Sequence, residues 1–163
     1  MIGLAAVAGL GLSRAMAKPP VSGMDKAWLV EAHQINLAEI AVGKMAEQKG
    51  QSQAVKNAGR TLVADHQNLD RMLEAGAQKL GVQLPDSPSA AEQEQANSLE
   101  QKSGADFDEA FLHMEIQGHQ EAIADTRRES KAGSSIAVTN LALKTLPVLE
   151  SHLRMLEQIG EQQ

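Results

Sequence analysis

The sequence contains no cysteine and no tyrosine, and its aromatic side chains are limited to Trp28, Phe107 and Phe111. Without cysteine, disulfides and thiolate metal sites are excluded, and nothing can be read about the redox compartment. Runs of aromatic and β-branched residues that would announce strands are missing as well. Basic clusters are equally scarce. The longest is the pair Arg127-Arg128, against a formal net charge of −6, so no nucleic-acid partner is expected. No apolar run is long enough to cross a bilayer, so no transmembrane span is expected in the mature chain.

What fills the 163 residues instead is Ala, Leu, Met, Gln and Glu. That is helix-forming composition in a chain long enough for one domain with its own core, and the fold class expected is all-α.

The N-terminus reads as a leader. Residues 2 to 12 form an apolar run too short to span a membrane, followed by Ala15-Met16-Ala17 and then Lys18-Pro19-Pro20. This is the layout of a signal-peptide h-region with an Ala-x-Ala cleavage site. The basic n-region is missing, consistent with a start codon placed too late or a clipped terminus. The domain division expected is 1–17 signal peptide, 18–23 linker and 24–163 helical bundle, in a protein exported to the periplasm or outer membrane. The alternative for residues 2 to 12 is an apolar helix packed on the domain.

Four long helical patterns follow. The first runs from about Met24, with Asp25 near its start, to Lys49 before Gly50; the second runs from the N-cap Ser52 to Leu80 before Gly81. Residues 81–103 form a connector, turn-rich at Pro85-Asp86-Ser87-Pro88 and helical again from Glu92 to Gln101. The third pattern runs from about Ala105 to Lys131, and the fourth from Ser134 or Ser135 to about Ile159. Two tight turns and one long middle connection predict a four-helix bundle, with the connection either crossing the bundle as in ferritin-like folds or looping back.

Each helix carries one ionisable residue on an otherwise apolar stripe. The stripes are Trp28, Ala32, Ile35, Glu39, Val42, Ala46; then Leu62, His66, Leu69, Leu73; then Leu112, Ile116, His119, Ile123; and finally Leu141, Thr145, Val148, His152, Met155, Ile159. Counted from the turns, His66 and His119 lie about 15 and 14 residues along their helices, which at about 1.5 Å per residue puts both near mid-bundle. Glu39 and His152 fall within roughly 10 Å of that level. One carboxylate and three imidazoles can therefore share an interior, a donor set suited to a divalent ion of zinc, iron, copper or nickel. The alternative is a set of buried polar residues that satisfy one another, with Glu39 pairing an imidazolium and no metal.

The carboxylate signature of di-iron bundles is absent. Those sites use Glu-x-x-His, whereas the residues three before the histidines are Val30, Val63, Ala110, Ile116 and Leu149. His113, four after Glu109, reads as a solvated helix pair. His33 reads as a rim residue or a partner behind the site. Asp65 points away from the His66 stripe toward a neighbouring helix, and Asp70 is placed to orient His66 or to sit at the surface. Pro147 removes a helical hydrogen bond to Leu143 and is expected to kink the helix near His152.

Val55-Lys56-Asn57-Ala58 with Asp65-His66, Phe107-Asp108-Glu109-Ala110-Phe111 with His119, and Thr145-Leu146-Pro147-Val148-Leu149 with His152-Leu153 resemble a bacterial family, domain-of-unknown-function family 4142. The resemblance spans roughly residues 24 to 160. It implies an exported ferritin-like bundle with no established activity, in a family whose members often carry an outer-membrane label. One position departs from the family pattern: Gly118 stands where members commonly have Asp before the histidine.

Three function classes remain open on this reading. One is an exported metal-binding bundle for storage, sensing or buffering. Another is a structural or interaction module whose buried His and Glu fix helix packing, with Ala38, Ala41 and Ala46 offering small surfaces to an envelope partner or a second copy. The third, an enzyme, ranks last, because no nucleophile–base or acid–base carboxylate pair can be assigned and no catalytic residue is named.

Overall fold

The computed structural model describes residues 21–162; the expected signal peptide lies outside the described residues. Five helices follow in order: α1 (Gly23–Lys49), α2 (Gln53–Leu80), α3 (Ala90–Glu100), α4 (Gly104–Ala132) and α5 (Ile136–Gly160). Strands are absent among the described residues, and no helix there is long and apolar enough to cross a membrane.

The helix starts have chemical causes. Ser22 caps α1 and exchanges hydrogen bonds with Asp25 in a capping box, and Ser89 does the same with Glu92 for α3. The connector helix accordingly begins at Ala90, two residues before the sequence pattern placed it. Ser52 accepts from the Val55 N–H at the start of α2, and α2 ends on Gly81 in the left-handed conformation, φ 69°, which a glycine adopts without strain. Pro147 does not interrupt α5.

Two aspartates lock the hairpins α1–α2 and α4–α5 together end to end. Asp108, in the first turns of α4, accepts from the backbone N–H groups of Gln51 and Ser52 at 2.8 and 2.7 Å, in the α1–α2 turn. Asp25, in the first turn of α1, accepts from Ser134 and Ser135 at 3.0 and 3.2 Å, in the α4–α5 turn. The start of α4 is therefore beside the α1–α2 turn, and α4 runs parallel to α2. Residues 81–103 must cross the bundle end to end, which is the ferritin-like connection. They do so along α1: His33 Nε2–H donates to the Pro85 carbonyl, and at the far end the Lys49 ammonium donates to the Glu100 carbonyl.

α1 and α2 pack at unusually close range because each presents a glycine. A Cβ on Gly59 would lie 2.5 Å from the Gly43 oxygen, and one on Gly43 would lie 2.9 Å from the Gly59 oxygen. The core divides by height. Val42, Ala46, Val55, Leu62, Phe107, Phe111 and Leu156 fill the end near the α1–α2 turn, while Trp28, Leu29, Leu73, Val138 and Ala142 fill the other. Each fully buried leucine or phenylalanine contributes about 1.5–3 kcal/mol. Leu69, Ile123 and Leu149 form a small apolar layer of their own.

Two sequence expectations are corrected here. The fully buried positions of α5 are Val138, Ala142, Leu149, His152 and Leu156, so the inward face is turned about one residue from the expected stripe, and Leu141, Val148, Met155 and Ile159 sit on its half-buried flank. The helix packs on both α2 and α4, and a face that wide accommodates either reading. Ala46 is fully buried in the core, so the outward surface expected of Ala38, Ala41 and Ala46 does not include it.

Candidate functional site: a three-histidine cluster in the bundle

His66, His119 and His152 meet in the interior, all at most 2% exposed. Their ring centroids are 5.8, 5.2 and 5.4 Å apart for the pairs 66–119, 66–152 and 119–152. One ligand nitrogen from each lies within 4.8 Å of the other two. Glu39 joins them from α1, with Oε2 3.9 Å from His66 Nε2 and Oε1 3.9 Å from His119 Nδ1. All four residues named from the stripes are thus brought to one place.

The outward nitrogen of each ring decides where its hydrogen sits. His66 Nδ1 is 2.9 Å from Asn36 Oδ1, His119 Nδ1 is 2.9 Å from the Glu115 carbonyl, and His152 Nε2 is 2.9 Å from Asp65 Oδ2. Each of these atoms is an acceptor, so each of these ring nitrogens donates, and the other nitrogen of a neutral ring is left with a lone pair. Asn36 is oriented by the same logic, since its Nδ2 donates to Asp70 Oδ1 at 3.4 Å and leaves Oδ1 for His66. The remaining nitrogens, Nε2 of His66, Nε2 of His119 and Nδ1 of His152, turn inward. His66 Nε2 is buried with no hydrogen-bond partner, and His119 Nε2 and His152 Nδ1 stand 3.3 Å apart.

Burial disfavours the charged form of two of the rings. Burial pushes His66 down to about 4, reinforced by the neighbouring imidazoles and opposed by Glu39. Burial also lowers His152, against the pull of its bond to Asp65. Burial alone would raise Glu39, but the charge that His66 and His119 carry when protonated, together with a hydrogen bond from Glu115, outweighs it and holds the carboxyl below its ordinary value. Glu115, 2% exposed beside Glu39, is pushed well above the carboxylate range by burial and by the charge of Glu39. The two carboxyls thus share one proton, resting on Glu115.

Glu115 is the residue that sequence reasoning missed. It keeps the helical spacing of Leu112 and His119 as well as Ile116 does, and Ile116 was the apolar choice. Asn36 was missed because nothing in its local pattern distinguishes it. Asp65 makes the neighbouring-helix contact expected of it. Asp70 is buried and serves His33, at 2.7 Å, and reaches His66 only through Asn36. His33 is buried behind the site, bonded to Asp70 and the Pro85 carbonyl, and His113 is exposed. Gly118 does not touch the cluster, and a Cβ there would meet nothing within 4 Å.

No curated protein matches this chain. Among solved structures, it is similar to the crystal structure of a DUF305 fragment from Deinococcus radiodurans, at 17% identity and a TM-score of 0.77, covering 89% of this chain and all of that one. That likeness speaks for the helical fold alone. The family model for a domain of unknown function, DUF4142, matches residues 11–159. The chain therefore belongs to the DUF4142 family of domains of unknown function.

Proposed function

We propose that this bundle binds a divalent transition metal ion through His66, His119 and His152, with Glu39 beside them as a fourth side-chain donor or balancing charge. The observation that carries the reading is the orientation of three rings. Each outward ring nitrogen faces an oxygen acceptor and donates to it, so a neutral ring keeps its lone pair on the nitrogen turned into the cluster. Such an arrangement is unfavourable when empty and matches the way metal-bound histidines are oriented by oxygen acceptors behind them. The spacing agrees: two imidazoles on one tetrahedral ion with bonds of about 2.0–2.1 Å have nitrogens about 3.3–3.4 Å apart, and His119 Nε2 and His152 Nδ1 are 3.3 Å apart. Imidazole donors favour zinc, copper, nickel or iron over calcium or magnesium. The site would serve storage, sensing or buffering; no group in it is assigned a catalytic role.

The second reading is a structural module with a polar core. It is favoured by the hydrogen-bond chain His66–Asn36–Asp70–His33–Pro85, which ties α2, α1 and the connector in register without any ion. Under either reading, export remains part of the proposal, supported by the leader-like residues 2 to 17.

Elemental analysis of protein purified without added metal or a His-tag, followed by titration of metal-free protein with zinc, separates the two. The metal reading expects about one equivalent bound and a raised melting temperature, because an ion that binds only the folded state adds RT ln(1 + [L]/Kd). His119→Leu abolishes both. Protein that carries no metal and whose melting is indifferent to zinc, copper, nickel, iron and chelator would overturn it.

A further inference from the structure

The seam between α1 and α4 is open. A groove of about 630 Å³ runs down it, roofed in part by α3, and its lining contains no lysine or arginine. Glu31 and Asp125 lie at its rim with Glu92 and Glu121, and Glu39 and Glu115 lie on its floor. Arg128 pairs with Asp125 from outside and offsets one of these charges. Burial, together with Asp125 and Glu92, raises Glu31 above its ordinary range, as expected where negative potential is concentrated.

An acidic rim alone would be a solvated surface. The floor is different: Glu115 is 2% exposed, its carboxyl meets that of Glu39 with one proton between them, and one ligand atom each from Glu39, Glu115 and His119 lie within 4.8 Å of one another. Two buried carboxyls held together by one proton are costly to ionise together unless a cation takes that proton's place between them. Oε2 of Glu115 is 3.7 Å from His119 Nδ1, a nitrogen already committed to the Glu115 carbonyl. Once that proton is displaced, these oxygens offer a hard, anionic donor set, distinct from the three imidazole nitrogens behind it.

We propose that Glu39 and Glu115 form a second, oxygen-donor cation position at the inner end of the α1–α4 groove, and that this groove is the route by which divalent cations enter the bundle. The proposal rests on the three-histidine reading only in sharing Glu39. Manganese(II) is the probe, because it prefers carboxylate and water ligands over imidazole clusters.

The test follows free Mn2+ by electron paramagnetic resonance as metal-free full-length protein is titrated at neutral pH. Binding is expected in the unaltered protein and in His152→Leu, which loses a nitrogen ligand and keeps both carboxylates. Glu115→Gln is expected to weaken it by about tenfold or more, the scale on which ligand charge tunes hard-cation affinity. Absent Mn2+ binding, or equal affinity in Glu115→Gln, overturns the position whether or not zinc binds to the histidines. Gly118→Leu tests the route: Gly118 lines the groove in the middle of α4, so the new side chain obstructs the path without removing a charge. Stopped-flow Mn2+ uptake should slow several-fold with the equilibrium affinity kept. The surface pair Glu121→Gln and Asp125→Asn should also slow uptake and flatten its salt dependence, and Glu39→Gln tests the position if Glu115→Gln does not fold. Uptake at the unaltered rate in both Gly118→Leu and the surface pair overturns the route.

Discussion

His119 Nε2 and His152 Nδ1 stand 3.3 Å apart, and on each ring the other nitrogen faces an oxygen acceptor. For His152 the outward partner is the Asp65 carboxylate, whose side chain is 42% exposed while the imidazole it orients is buried. The aspartate thus positions a ring from the bundle surface, and it can be removed without opening the core.

Asp65→Ala is therefore expected to weaken zinc binding by about 10–100-fold, the usual effect of losing an acceptor behind a metal-bound histidine, while leaving the metal-free melting temperature nearly unchanged. Competition titration against a chromophoric chelator measures the first and thermal unfolding the second. Undiminished zinc affinity in a normally folded Asp65→Ala would show that the carboxylate does not hold His152 for a ligand.

The metal-free protein should lose stability as it is acidified from about pH 6.5 toward 4. His66 binds its proton near 4 when folded, against an ordinary value of 6.5, so between those values the unfolded chain holds more protons and stability rises with pH. The contribution is complete above 6.5 and disappears as pH falls through 4. His66→Leu should flatten this slope in unfolding measured across that range, and an unaltered slope would contradict the buried neutral ring.

Near the α4–α5 turn the sign reverses. Glu129 is buried beside Asp25, and burial and that neighbour raise it from 4.5 to about 7. Burial alone would raise Asp25 too, but its bonds with Ser22 and Ser135 bring it to about 2. The pair keeps one proton, on Glu129. The native state holds that proton more tightly than the unfolded chain, so this contribution is whole below 4.5 and is lost as pH rises through 7. Glu129→Gln should flatten the decline in melting temperature between pH 5 and 9, and a decline as steep as in the unaltered protein would assign it to other groups. The Asp25 contribution is whole above 3.8 and is lost only as pH falls toward 2.

Gly59→Ala should destabilise the protein by about 1–3 kcal/mol, because overpacking against the Gly43 carbonyl outweighs the gain in helix propensity. Denaturant unfolding at constant pH reads this directly. Gly118→Ala, in open space on α4, serves as the control and should be neutral or slightly stabilising.

The local pattern of residues was enough to determine the helices, their starts to within two residues and the inward placement of Glu39, His66, His119 and His152. Capping serines, stop glycines and a spacing of three and four act within a few turns of chain, and counting from a turn converts sequence position to height. The direction of α4 depended on longer reach. It is decided where Asp108 and Asp25 each find the turn of the opposite hairpin, contacts that no spacing rule encodes. The inward face of α5 was displaced for a related reason, since a helix flanked by two neighbours has apolar residues on more than one stripe. Glu115 was hidden by Ile116, which satisfies the same periodicity, and only the open α1–α4 seam exposes the carboxylate's role. Sequence thus determined that Glu39, His66, His119 and His152 turn inward, because a stripe is a property of a single helix; tertiary structure decided what joins them there and which of their atoms face each other, because those are set by partners on other helices.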